Sequence, residues 1–138
     1  MDGHLVCLAG NVGNDVQLRY SPQGVSIVEF SLAVEVNPHD RTSNLVSWWN
    51  VEGWGSIANK IAMSSFAKSQ NEDDAEPGSI KGARVIVSGR HELRPWKTDL
   101  GETRIKPIII ADEIAFSIQY GPLDVVKLPM PEQDQKAQ

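Results

Sequence analysis

The sequence predicts an all-β domain, a five-stranded barrel with one helix between its third and fourth strands. Three observations carry that prediction. Residues 25–37, VSIVEFSLAVEVN, alternate apolar and polar side chains with period two; residues 56–68, SIANKIAMSSFAK, are the one segment with helical spacing; and two long β-rich runs, 82–96 and 103–116, follow it. At 138 residues the chain is long enough for one domain with a substantial core and too short for two of ordinary size.

The first strand is expected over residues 4–12, HLVCLAGNV, which are apolar on both parities: Leu5 and Cys7 on one side, Val6 and Leu8 on the other. Such a strand implies cover on both faces, with a second subunit as one source of it. Gly10 and Gly13 are the expected bend or bulge points. SPQG, 21–24, has Pro at the second turn position and Gly at the fourth, the pattern of a type I turn. In the second strand Val28, Phe30, Leu32, Val34 and Val36 share one face, and Glu29, Ser31, Ala33 and Glu35 the other. The third strand covers 47–54. The helix is expected to start at a capping Ser56 and to bury Ile57, Ala58, Ile61 and Ala62. NEDDAEPGS, 71–79, reads as a solvated acidic loop. The fourth and fifth strands are joined by KTDLGE, 97–102, where Asp99, Leu100 and Gly101 supply turn residues. Three strands, a helix and two strands is the order of an OB-fold, a partly open barrel whose second and third strands form a ligand face. The domain is expected over 1–120, with an extension or tail over 121–138.

A net charge of −5 at first argues against a polyanionic partner. Distribution matters more than the sum. Glu72, Asp73, Asp74 and Glu76 account for four of those charges, and Asp124, Glu132 and Asp134 lie in a polar, proline-containing tail, so the body of the chain is free to carry a basic face. The single cysteine, Cys7, excludes an internal disulfide and fits a reducing compartment. No apolar run approaches the roughly 18–20 residues of a membrane span, and the N-terminal residues lack a secretory pattern. A cytoplasmic, nucleoid-associated location is expected.

Three of the four tryptophans fall within SWWNVEGWG, 47–55. Strand alternation puts Trp48, Asn50, Glu52 and Trp54 on one face, and Trp49, Val51 and Gly53 on the other, which is the expected core side. Trp48 and Trp54 are then roughly 20 Å apart. In the fourth strand Arg84, Arg90, Arg94 and Trp96 share one parity while Val85, Val87, Gly89 and Leu93 share the other. Lys97 follows directly, and Arg104 and Lys106 come from the facing strand. Indoles on a wet sheet face can each take one base of an unpaired strand, because every base has a π-face, and guanidinium groups beside them can track phosphates. A tryptophan taken alone is more often packing surface, and Trp49 stays in that class. Trp48, Trp54 and Trp96 leave it because they share parity with polar neighbours. Glu52, between two indoles, is an unfavourable neighbour for a phosphate.

Catalytic and metal chemistry find no support. His91-Glu92 begins a zinc-protease pattern, but the fourth position after His91 is Pro95. His4, His39, His91 and Cys7 show no metal-ligand spacing. Gly10 and Gly13 lack the Lys-Ser/Thr of a phosphate loop. Nothing pairs a nucleophile with a base, so no enzyme, cofactor or metal is expected.

The stretches LAGNVGNDVQLRYSPQGVSIVEFSLAV (8–34), WWNVEGWGSIA (48–58), KGARVIVSGRHELRPW (81–96) and ADEIAF (111–116) resemble, in order, the bacterial single-stranded DNA-binding protein family. The resemblance implies an OB-fold protomer, usually a homotetramer built from dimers, that coats single-stranded DNA without sequence preference in replication, recombination and repair. The family's stacking aromatics fall on Trp48, Trp54 and Trp96. There are three departures. Asn37-Pro38-His39 stands where the family often has another aromatic or basic residue, and the acidic insert lengthens the connection after the helix. The final PEQDQKAQ replaces the usual acidic tip closing on Pro-Phe, which argues against recruitment of genome-maintenance proteins through such a tip. Residues 117–128, SIQYGPLDVVKL, suit either an extra strand or hook that clamps a dimer or a frayed tail. A non-catalytic interaction module of the replication machinery, of primosomal type, is the alternative, and RNA as the main ligand a third reading.

Overall fold

The protein is described from a computed structural model that covers residues 4–40, 42–66, 78–123 and 127–129. Its elements in chain order are β1 (His4–Val12), β2 (Gln17–Tyr20), β3 (Ser26–Glu35), β4 (Val46–Trp54), α1 (Ser56–Met63), β5 (Arg84–Lys97) and β6 (Thr103–Phe116). The sheet runs β1-β5-β6-β4-β3, and β3 pairs back onto β1 through Asn11 with Ala33 and Val12 with Leu32, which closes the barrel. The β4–β6 contact is parallel and the others are antiparallel.

The expected five-stranded OB-fold barrel is the fold observed, with one refinement. β2 continues along β3, pairing Gln17 with Glu29 and Tyr20 with Ser26, so β1 and β2 are two halves of one strand broken at residues 13–16. The break falls at one of the two expected glycines. The Gly13 N–H donates to the Ser31 carbonyl at 2.9 Å, and a Cβ on Gly13 would run into the Trp48 ring. Gly10 serves the closure itself, since a Cβ there would overlap the Ala33 carbonyl oxygen of β3.

The period-two pattern of β3 places Val28, Phe30 and Leu32 inside, where they meet Val51, Val85, Val87 and Ile109. At about 1.5–3 kcal/mol for each large side chain withdrawn from water, this cluster is the main source of stability. Helix α1 covers one end of the barrel with Ala58 and Ile61, beside Ile80 and Ala83, and Ile57 and Ala62 pack partly against the same cluster. Its start differs from expectation. Gly55, at φ +66°, occupies the cap position, with no side-chain hydrogen bond there, and Ser56 is the first helical residue. A left-handed cap is cheap only for glycine. The helix ends at Met63 rather than 68, because Ser64 turns extended and its N–H donates to the Ile61 carbonyl at 3.0 Å. Residues 67–77, including the acidic run, lie outside the described residues.

The β2–β3 and β5–β6 turns share one construction. The Gly24 N–H donates to the Ser21 carbonyl at 2.8 Å and the Gly101 N–H to the Thr98 carbonyl at 2.9 Å, with φ of +85° and +81°. The hydroxyls of Ser21 and Thr98 then accept from the N–H groups of Val25 and Glu102. Over 117–123 the chain forms no strand; it leaves β6 with the Ser117 N–H on the Arg84 carbonyl and lays the Tyr120 ring under the Arg84 guanidinium, 5.1 Å from its centroid.

Candidate nucleic-acid interface

Alternation along β4 and β5 brings Trp48, Trp54 and Trp96 to the outside of the barrel, with 61%, 40% and 48% of their surfaces open to water. Trp49, on the opposite parity, packs partly against the core, donates its ring N–H to the Ser47 hydroxyl at 3.0 Å and meets the His91 ring edge-on.

Glu52 departs from the sequence expectation. It was expected to lie open between two indoles, but it is 1% exposed. Its Oε2 accepts from Arg94 Nη1 at 2.7 Å and Arg19 Nη2 at 3.1 Å, and its Oε1 accepts from the Trp54 ring N–H at 3.0 Å. Three donors from three strands thus satisfy a carboxylate that burial alone would make costly. Arg94 also reaches Glu92 at 3.2 Å. Burial works against the Arg94 charge, but hydrogen bonds and charge attraction from Glu52, and then from Glu92, outweigh it and hold the guanidinium above its ordinary range. On the facing strand Lys106 donates to Glu29 at 2.9 Å.

The nine sequence-predicted residues therefore divide by position. Trp54, Arg94, Trp96, Arg104 and Lys106 gather around the β5–β6 arm: Arg94 pairs with Lys106 and Trp96 with Arg104 in the strand register. Arg104 touches Glu102 at 3.5 Å with both side chains open to water, a contact of little worth. Lys97 ends β5, exposed at the arm's turn. Arg84 lies elsewhere, about 33 Å from Arg94 along the strand. It lies in the row of Trp48 but three strands away, since cross-strand partners run Arg84, Asn11, Ala33, Trp48, and its Nη1 donates to Asn11 Oδ1 at 3.2 Å. Arg90 sits exposed between the two groups, opposite Leu5 of β1.

Arg19 and Glu29 were not among the expected site residues. The signal for Arg19 was present: the SPQG turn implies a hairpin whose register sets Arg19 opposite Ile27, and Ile27 is opposite Trp54. A separate surface follows from β1. Val6 and Leu8 pack inward, while Leu5, Cys7 and Ile86 remain open on the outer face of β1 and β5. Among the described residues no three His, Cys, Asp or Glu side chains group as a metal site, and no helix is long and apolar enough to cross a membrane.

Comparison with known proteins bears on the family and the fold. The family model described as "Single-strand binding protein family" matches residues 4–117. A single-stranded DNA-binding protein of Paenarthrobacter aurescens is 32% identical over 116 residues, covering 84% of this chain and 63% of that protein. One from Corynebacterium glutamicum is 31% identical, covering 90% of this chain and 51% of its own length. The chain thus spans about half to two thirds of these relatives. The crystal structure of a small single-stranded DNA-binding protein from Streptomyces coelicolor superimposes with a TM-score of 0.64 at 23% identity, over 88% of this chain and all of that one, a likeness of fold. The chain belongs to the single-strand binding protein family.

Proposed function

We propose that the protein binds single-stranded DNA without sequence preference, by stacking bases on Trp48, Trp54 and Trp96, and that it protects unpaired strands during replication, recombination and repair in the cytoplasm. The observation that carries this reading is the exposure of all three indoles on one protomer, two of them close to a guanidinium: Arg94, which shares Glu52 with Trp54, and Arg104, opposite Trp96. Stacking is worth about 1–3 kcal/mol per base, so two or three rings supply most of a micromolar affinity, near −8 kcal/mol at about 25 °C. Arg84, Arg90 and Lys97, which have no acidic partner among the described residues, are the phosphate contacts this reading favours. No step of it is catalytic.

Self-association into dimers, and of dimers into a homotetramer, fits the uncovered apolar strip of Leu5, Cys7 and Ile86. Sedimentation tests that part: a monomer at micromolar concentration contradicts it. Binding itself is tested by anisotropy of labelled oligo-dT, oligo-U and duplex. The expected order is oligo-dT tightest and duplex weakest. Tighter binding to oligo-U makes RNA the ligand, and no binding to any of the three leaves an interaction module.

A further inference from the structure

Two matched pairs of side chains face each other on this surface. Glu29 and Glu52 are direct cross-strand partners on β3 and β4, and Arg94 and Lys106 are direct partners on β5 and β6. They meet charge to charge, Arg94 on Glu52 at 2.7 Å and Lys106 on Glu29 at 2.9 Å, with Arg19 of β2 as a third cation on Glu52 at 3.1 Å. A patch that its lysine and arginines alone would make +3 is brought to +1 by Glu29 and Glu52, and Glu92, the second partner of Arg94, brings it to neutral. We infer that Glu29 and Glu52 are specificity-determining residues: built-in counter-anions that make phosphate contact alone insufficient and so favour unpaired strands over duplex. The inference rests on the stacking reading above.

The physical argument concerns which ligand can compete with the carboxylates. A phosphate that draws Arg94 away must strip a partner from Glu52, whose side chain is 1% exposed, and one that only shares the remaining Arg94 donors meets a charge that Glu52 already offsets. Lys106 is easier to take, since Glu29 is about a quarter exposed. Duplex DNA presents its phosphates with its bases stacked inside, so the only gain it offers this patch is the one the acids cancel. An unpaired strand still gains from the indoles, because stacking on Trp54 and Trp96 needs no free cation. The acids therefore lower affinity for both ligands but lower it proportionally more for the duplex. Docking of the β5–β6 arm onto the barrel is a second consequence of the same contacts, and it predicts a different outcome when they are removed.

The test is Glu29→Gln/Glu52→Gln in the full chain, checked for folding by circular dichroism and titrated with oligo-dT and with a duplex over a range of salt. Glutamine keeps an acceptor for the Trp54 N–H while removing the charge. The expected result is duplex binding about tenfold tighter at low salt, a smaller gain for oligo-dT, and a log–log salt slope for oligo-dT steeper by about 1.4, from about 0.7 for each of two uncovered charges. Unchanged duplex affinity and slope in a folded variant overturns the inference. An equal fall for both ligands with the slope unchanged also overturns it, since the acids would then only dock the arm. Should the double variant not fold, Glu29→Gln alone decides, with half the slope change expected and none contradicting. A wild-type protein that ignores oligo-dT would defeat the stacking reading instead, and the duplex titration of the variant would still judge the acids.

Discussion

Trp48 and Trp54 sit on one strand and one face, six residues apart, yet different physics holds each ring. Trp54 is fixed by chemistry: its N–H is bonded to a buried carboxylate, and Ile27, directly opposite, is 1% exposed, as Glu52 is on the same face. Trp48 is held by an absence. Its ring lies where the Cβ of Gly13 would be, and among the described residues its N–H has no protein partner. One indole is thus part of the structure that a ligand meets, and the other is a surface flap resting on bare backbone. Two rings open to a base can differ in their value to the fold.

Substitutions separate these roles. Trp54→Ala is expected to lose about 1–3 kcal/mol of oligo-dT affinity and, in addition, about 1–3 kcal/mol of stability, because Ile27 is uncovered and Glu52 loses a donor. Trp48→Ala should match it in affinity but stay within about 0.5 kcal/mol in stability; equal destabilisation by both, read by urea denaturation, would erase the contrast. Trp96→Ala should resemble Trp48→Ala, with an affinity loss of about 1–3 kcal/mol in a folded protein. Gly13→Ala should displace the Trp48 ring and weaken binding by about 1 kcal/mol, an effect that vanishes in a Trp48→Ala background; additivity in that double-mutant cycle would show that Gly13 acts by another route. Smallest is the aromatic exchange. Trp54→Phe keeps a stacking ring and loses the hydrogen bond to Glu52, for about 0.5–1.5 kcal/mol of stability, whereas Trp48→Phe should be near neutral in thermal melts.

The parity of the strands was legible because period two is a local property: it placed Val28, Phe30 and Leu32 inside and Trp48, Trp54 and Trp96 outside without knowledge of partners. The burial of Glu52 was not legible. It depends on donors from β2, β4 and β5 arriving at one point, and neither Arg19 nor Arg94 is near it in sequence. β2 escaped notice for a different reason: QLRY alternates, but over only four residues, the shortest run in which period two can be read. The Gly55 cap was hidden behind a serine that has the better capping chemistry but sits one residue too late. Arg84 shared parity with Arg94 and Trp96, and only the closure of the barrel revealed that its partner is Asn11, in the row that leads to Trp48.

The central claim is that these indoles receive the bases of an unpaired strand. Titrating intrinsic tryptophan fluorescence with oligo-dT of graded length tests it most directly: the account predicts strong quenching that saturates once the oligomer spans the sites, and that is reduced in Trp54→Ala. Emission that stays constant while the protein remains folded would contradict it.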